Sequence, residues 1–136
     1  MTDTQRDEFL SKPRYAILTT LRRDGSPVSL PVWIEWDGDT VRMFAHQDSA
    51  KLKRLRNDPR ATVLVVNHPD EQEYWVAFDG PVTVHETGGL ELAERLFDRY
   101  YPQGDPRREV LSRWQAIESE WRLLELKPDA IRTHEE

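Results

Sequence analysis

Residues 28–36 alternate without a break. Val28, Leu30, Val32, Ile34 and Trp36 fall on one side of an extended chain, and Ser29, Pro31, Trp33 and Glu35 fall on the other. A period of two over this span predicts a strand with one face in a core. Pro27 and Pro31 have no N–H to give to a ladder, so the strand is expected at a sheet edge or beside a bulge. Asp37-Gly38 is a two-residue hairpin signal leading into a second strand, Thr40–Ala45. Upstream, Tyr15–Leu21 is rich in β formers, and Arg23-Asp24-Gly25-Ser26 supplies a turn. Downstream, Ala61–Val66 is apolar on both parities and predicts a fully buried strand. Tyr74–Phe78 and Pro81–His85 read either as one long strand kinked at Asp79-Gly80-Pro81 or as a second hairpin. Trp121–Leu126 reads as the final strand.

Helical patterns are few and short. Residues 3–12 carry Phe9 and Leu10 and stop at Lys12-Pro13, since proline disfavours helical geometry in the residue before it. Gly88-Gly89 precedes a helix with Leu92, Leu96, Phe97 and Tyr100 on one side. Tyr101–Pro106 breaks it, and Arg107–Glu118 resumes with Val110, Leu111, Trp114 and Ile117 as its stripe. These helices do not alternate with the strands, which argues against a three-layer α/β fold. Five or six antiparallel strands with a few small helices predict a mainly β domain spanning 1–136. Its expected form is a closed or nearly closed barrel, because closure removes exposed edges. A chain of 136 residues, 38% hydrophobic and with five Trp, suffices for one core.

The segment Met43–Arg60 carries the chemistry. It reads as the end of a strand, a polar elbow, and the basic helix Ala50-Lys51-Leu52-Lys53-Arg54-Leu55-Arg56, which stops at Asn57-Asp58-Pro59. Asp48 or Ser49 can cap that helix by accepting one of its free backbone N–H groups. Ser49 and Lys51 then bring a hydroxyl and an ammonium to the first turn, where amides and dipole already favour an anion. The segment reads as a phosphate seat or as a solvated basic helix.

Other classes find less support. The net charge is −6, and no exposed aromatics interleave with Lys53, Arg54, Arg56 and Arg60, so nucleic acid is not the expected partner. There are no cysteines, and His46, His68, His85 and His134 lack ligand spacing, so no metal site is expected. No triad, nucleophile elbow or Walker loop is present. No apolar run approaches the ~20 residues of a membrane span, and the first residues lack the basic and apolar regions of a signal peptide. The expectation is a soluble, cytoplasmic domain.

The order of these pieces resembles the pyridoxamine 5'-phosphate oxidase-like split-barrel family of flavin and deazaflavin oxidoreductases and binding proteins. The resemblance runs from about Tyr15 to Val84. It rests on Leu18-Thr19-Thr20-Leu21 before Asp24-Gly25, on Pro31-Val32-Trp33 with Trp36-Asp37-Gly38, and on Ser49-Ala50-Lys51 with Asn57-Asp58-Pro59-Arg60. It implies an antiparallel split β-barrel that binds FMN or the deazaflavin coenzyme F-420 in a homodimer. The cofactor phosphate would lie at Ser49-Ala50-Lys51 and the ring along Val32 and Trp33. Phe44 and Ala45 would line the ribityl chain, and Trp75 would reach the ring from the other subunit. Trp33 is equally compatible with filling the subunit interface, Trp75 fits that interface role somewhat better than contact with the ring, and Trp114 and Trp121 read as packing residues.

Two departures shape the expected activity. The arginine that grips the phosphate in the authentic oxidase is replaced by Ser29 or Leu30, leaving Arg54 or Arg56 as candidate substitutes. The Arg-rich C-terminal pattern tied to that oxidase's substrate is also absent, so vitamin B6 phosphate oxidation is not expected. The resemblance implies hydride transfer between the cofactor and a small planar substrate, with no catalytic acid or base assigned. The alternatives are a cofactor-binding or sequestering protein without turnover, and a binder of a tetrapyrrole such as haem or biliverdin.

Overall fold

A computed structural model describes residues 2–134. Helix α1 (Asp3–Leu10) is capped by Thr2 and leads to strands β1 (Ala16–Leu21), β2 (Pro27–Val32), β3 (Glu35–Trp36) and β4 (Val41–His46). Helix α2 (Ala50–Asn57) follows, then β5 (Arg60–Val66) and the long β6 (Trp75–His85). Helices α3 (Gly89–Tyr100) and α4 (Val110–Gln115) precede β7 (Trp121–Leu126) and β8 (Ala130–Thr133). The strands lie in the order β2-β1-β5-β6-β7-β4-β3, with β8 also paired to β6, and every pairing is antiparallel.

The path has two ends, β2 and β3, which are neighbours in sequence but share no ladder. The barrel is therefore split at this junction. β2 is an edge strand, as its prolines require: Pro27 pairs with Leu21 and Pro31 with Ile17 without breaking an interior ladder. β6 is one strand rather than two. Its first half pairs with β5 and its second half with β7, so it bends from one part of the sheet into the other at Asp79-Gly80-Pro81. A side chain at Gly80 would collide with the Lys127 carbonyl, which makes glycine necessary where the β7–β8 turn crosses.

The inward faces supply the core. Leu18, Val63, Val65, Val76, Phe78, Val41, Met43, Leu124 and Leu126 are all buried, and Leu52 and Leu55 of α2 close one end. Those two leucines are three positions apart, which places both on one helix face. On the outer side of β4 and β7, α3 lays down Leu92, Ala93, Leu96 and Phe97, all buried. Gly89 starts that helix where a Cβ would come within 2.6 Å of the Trp121 backbone.

Five expectations need correction. The single strand expected over 28–36 is broken at Trp33-Ile34 into β2 and β3, which lie at opposite ends of the strand order. Among the described residues the strands number eight, not five or six, because β3 is only two residues long and β8 carries no strong alternation. Trp121–Leu126 is accordingly not the final strand. The β3–β4 connection is four residues (37–40) rather than the two-residue Asp37-Gly38. Asp37 builds it by accepting the N–H groups of Asp39 and Thr40 at 2.8 and 2.7 Å. Finally, β5 is buried on one face only. Val63 and Val65 point inward, whereas Val66 is 41% exposed and Thr62 and Leu64 lie half open on the outer face.

Candidate functional site

A cleft of about 270 Å³ opens where the barrel is split, lined by Tyr15, Pro31, Val32, Trp33, Phe44 and Lys51. Each wall has a different origin. The last residues of β2 and the linker beyond it give Pro31, Val32 and Trp33. The outward parity of β4 gives Phe44, which rests against Trp114 and Trp121 with ring centroids 5.5 and 5.9 Å away. The linker before β1 gives Tyr15, and the first turn of α2 gives Lys51. Trp33 is held from behind by α3: it stacks on Tyr100 at 4.9 Å and meets Phe97 and Tyr101 edge to face at 5.2 and 4.9 Å.

The start of α2 is built to receive an anion. Ser49 is the N-cap, its Oγ accepting the Leu52 N–H at 3.4 Å while its own hydroxyl proton remains to be donated. The backbone N–H groups of Ala50 and Lys51 have no partner among the described residues. Lys51 is half-buried and forms no ion pair among them either. Burial, and then the positive charge of Arg54, hold its ammonium below the usual lysine range. A cation partly removed from water with no carboxylate beside it is stabilised by an anionic ligand, which would restore the lost interactions.

The remaining cations of α2 point elsewhere. Lys53, Arg54 and Arg56 line a separate groove with Leu21, Arg23 and Asn57. Arg54 donates to Thr20 Oγ1 at 2.7 Å, and Arg56 pairs with Glu86 at 3.0 Å. Neither lines the cleft, so neither stands in directly for the missing arginine; Arg54 acts on Lys51 through its charge. His46, next to the elbow, is also engaged. Its Nδ1 accepts the Asp48 N–H at 3.2 Å, which leaves Nε2 to donate to Glu120 at 2.9 Å.

The structure places Val32, Trp33, Phe44 and Lys51 in the lining of one cleft, with Ser49 and Ala50 next to Lys51 at the start of α2. Ala45, of opposite parity to Phe44, turns its methyl into the core and is 2% exposed. Trp75 lies apart, on the outer face of β2-β1-β5-β6, in a concavity of about 440 Å³ with Ile17, Leu64, Val66 and Ala77. Sequence reasoning missed Tyr15 and Pro31 as lining residues. Pro31 reads in the sequence as an edge marker and as part of the Pro31-Val32-Trp33 motif, not as a wall. Tyr15 is 57% exposed, and its place one residue before a strand carried no signal of a cleft beyond it.

The fold and its split recur in known structures. An F-420 reductase superposes with a TM-score of 0.76 at 23% identity, covering 93% of this chain and 94% of that one. A conserved hypothetical protein from Mycobacterium tuberculosis gives 0.75 at 21% identity, over 98% of this chain and 84% of the other. General Stress Protein 26 from Bacillus anthracis gives 0.69 at 17% identity, over 96% and 92%. At these identities the likeness shows the fold alone. No curated protein sequence matches the chain. The family model for pyridoxamine 5'-phosphate oxidase, however, matches residues 2–134, and with the split barrel in place the chain belongs to the pyridoxamine 5'-phosphate oxidase family.

Proposed function

We propose that the chain binds a phosphorylated flavin-type cofactor, FMN or coenzyme F-420, in the cleft at the split, and works as an oxidoreductase on a small planar substrate. One observation carries this reading: Lys51, half-buried without an acidic partner, stands at the start of α2 beside aromatic walls. Ser49, Lys51 and the free amides of Ala50 and Lys51 would hold the phosphate. Val32, Trp33 and Phe44 would exclude water from the ring, and when bound that ring supplies hydride transfer. Members of the family bind FMN or related flavins, and an F-420 reductase shares the fold.

The same reading makes the protein a homodimer. Val66, Leu64, Ile17 and Trp75 form the apolar part of a concavity on an outer sheet face, bordered by Thr19, Ser29, Thr62 and Arg132, a surface that a second copy could cover. Trp75 would then approach a cleft of the partner rather than its own. Light scattering with cofactor present should give twice the 16.0 kDa mass of the chain; the mass of a single chain at micromolar concentration would exclude the dimer.

The direct test compares FMN, riboflavin and coenzyme F-420 by titration. Charge-assisted hydrogen bonds contribute about 1.5–3 kcal/mol each, so riboflavin, which lacks the phosphate, should bind at least about tenfold more weakly than FMN. Equal affinities would remove the phosphate from Ser49 and Lys51. A second reading, a carrier without turnover, is favoured by a lining that holds no carboxylate or histidine for proton transfer. Steady-state reduction of candidate substrates by the loaded protein separates the two.

A further inference from the structure

The β1–β2 ladder ends with Ala16 opposite Val32. The next residues in register are Tyr15 and Trp33, both lining the cleft, and the pair after that is Arg14 and Ile34. In a continuing ladder the main chains at these positions would bond to each other. Here a side chain lies between them. The hydroxyl of Tyr100, the last residue of α3, donates to the Arg14 carbonyl and accepts the Ile34 N–H at 3.4 Å. Its ring lies parallel to the Trp33 indole, with centroids 4.9 Å apart and an interplanar angle of 6°, and 6.3 Å from the Tyr15 ring. Arg99 anchors the same helix end by donating to the carbonyls of Leu10, Ser11 and Lys12 at 2.8, 3.1 and 2.7 Å.

We infer that Tyr100 is the positioning residue of the cleft: its hydroxyl replaces a ladder bond, splays β1 from β2, and so holds Tyr15 and Trp33 apart to admit one planar ring. Both main-chain groups are satisfied through the phenol, so the splay leaves no bare polar group behind it. Without the hydroxyl, the Arg14 carbonyl and the Ile34 N–H are free to pair directly, and the slot between Tyr15 and Trp33 narrows. A width fixed before the ligand arrives lowers the ordering cost of binding. The inference rests on the reading of this cleft as the cofactor's seat, but its structural part concerns the unliganded chain.

The test is Tyr100→Phe, which keeps the stacked ring and removes both bonds. The control is Tyr101→Phe, whose ring also touches Trp33 but whose hydroxyl bonds neither wall. In the unliganded protein, the Trp33 indole N–H resonance, assigned with Trp33→Phe, should move in the Tyr100 variant and stay in place in the Tyr101 variant. In titrations, Tyr100→Phe should weaken FMN about 5- to 20-fold and shift the bound flavin's absorbance, with Tyr101→Phe within about twofold of the native chain. A Trp33 resonance that both variants leave alike, or FMN binding unchanged by Tyr100→Phe, would overturn the inference. If the native chain binds neither FMN nor coenzyme F-420, the cofactor reading fails instead, and the resonance shift still decides the role of Tyr100.

Discussion

Arg14 and Lys51 are both withdrawn from water, and they are treated in opposite ways. Arg14 is 3% exposed and fully answered. It grips the Glu71 carboxylate with both terminal nitrogens, the second at 2.9 Å, donates through Nε to the Phe9 carbonyl at 2.9 Å, and lies 4.0 Å from the centre of the Phe9 ring. Lys51 is half-buried and has no carboxylate partner among the described residues. A buried cation with its own acid fastens α1 and the 67–74 loop to the barrel. One without an acid is complete only when an anion comes from outside. Both sit in a chain with net charge −6, so a shortage of carboxylates does not explain the difference.

The largest expected effect falls on the answered cation. Arg14→Met should lower the unfolding free energy by about 2–4 kcal/mol, since it strips a bidentate partner and a carbonyl bond from a buried site. Urea denaturation measures this, and FMN affinity should change less than it does in Lys51→Ala. Comparable losses of affinity in both variants would erase the distinction between them.

Lys51→Ala should behave in the reverse manner. Loss of one charge-assisted contact predicts cofactor binding about 10- to 100-fold weaker. Unliganded stability should stay within about 0.5 kcal/mol or rise, because alanine is the better helix former and the desolvated charge is gone. A marked fall in stability without loss of affinity would make Lys51 a structural residue.

Acid and base should separate the two sites further. Arg14, and then the His68 N–H, pull the Glu71 carboxyl from its ordinary 4.5 down to about 2. A lowered carboxylate pKa contributes stability that is complete above the unfolded value, and that contribution is lost as pH falls from about 4.5 through about 2. Near-UV circular dichroism, which senses Phe9 against Tyr74 at 4.7 Å, should change across that range. A signal flat to pH 2 would show that the clamp does not hold the loop. Lys51 gives a slope of the same sign from the opposite cause, and in a more alkaline range. Its depressed pKa disfavours the charged form, so the unliganded fold gains as pH rises through that value while affinity for a phosphate falls.

The smallest effect belongs to Lys53. Two residues along a helix is about 200° round it, and Lys53 indeed faces the groove with Arg23 and Arg56. Lys53→Ala should leave cofactor affinity within about twofold of native. A loss equal to that of Lys51→Ala would mean that the helix acts as a diffuse field.

Much of the fold was legible because periodicity and punctuation are local. The prolines of β2, the Ser49 cap, the Asn57-Asp58-Pro59 stop and the apolar stripe of α3 all appear in the structure where residue order put them, whereas the 28–36 alternation is divided between β2 and β3. What escaped were features with little local signature. β3 and β8 are short and are fixed by their partners β4 and β6. The open outer face of β5 was misread because an apolar sequence looks the same whether its partner is the same chain or another molecule.

The chemistry divides along the same line. Sequence alone determined that a hydroxyl, a lysine and free amides share one helical turn, since a cap and its first turn are adjacent residues and their spacing is covalent. It also set Lys51 and Lys53 on different sides of α2, because helical pitch is intrinsic to the backbone. Only the tertiary structure decided that Lys51 has no carboxylate beside it among the described residues while Arg14 has one, and that Tyr15 and Trp33 line one cleft next to the bonds from Tyr100 to Arg14 and Ile34. Glu71 lies 57 positions from Arg14, and Tyr100 lies 66 from Ile34. Contacts over such separations depend on how the strands close, and that closure is a cooperative property of the whole core.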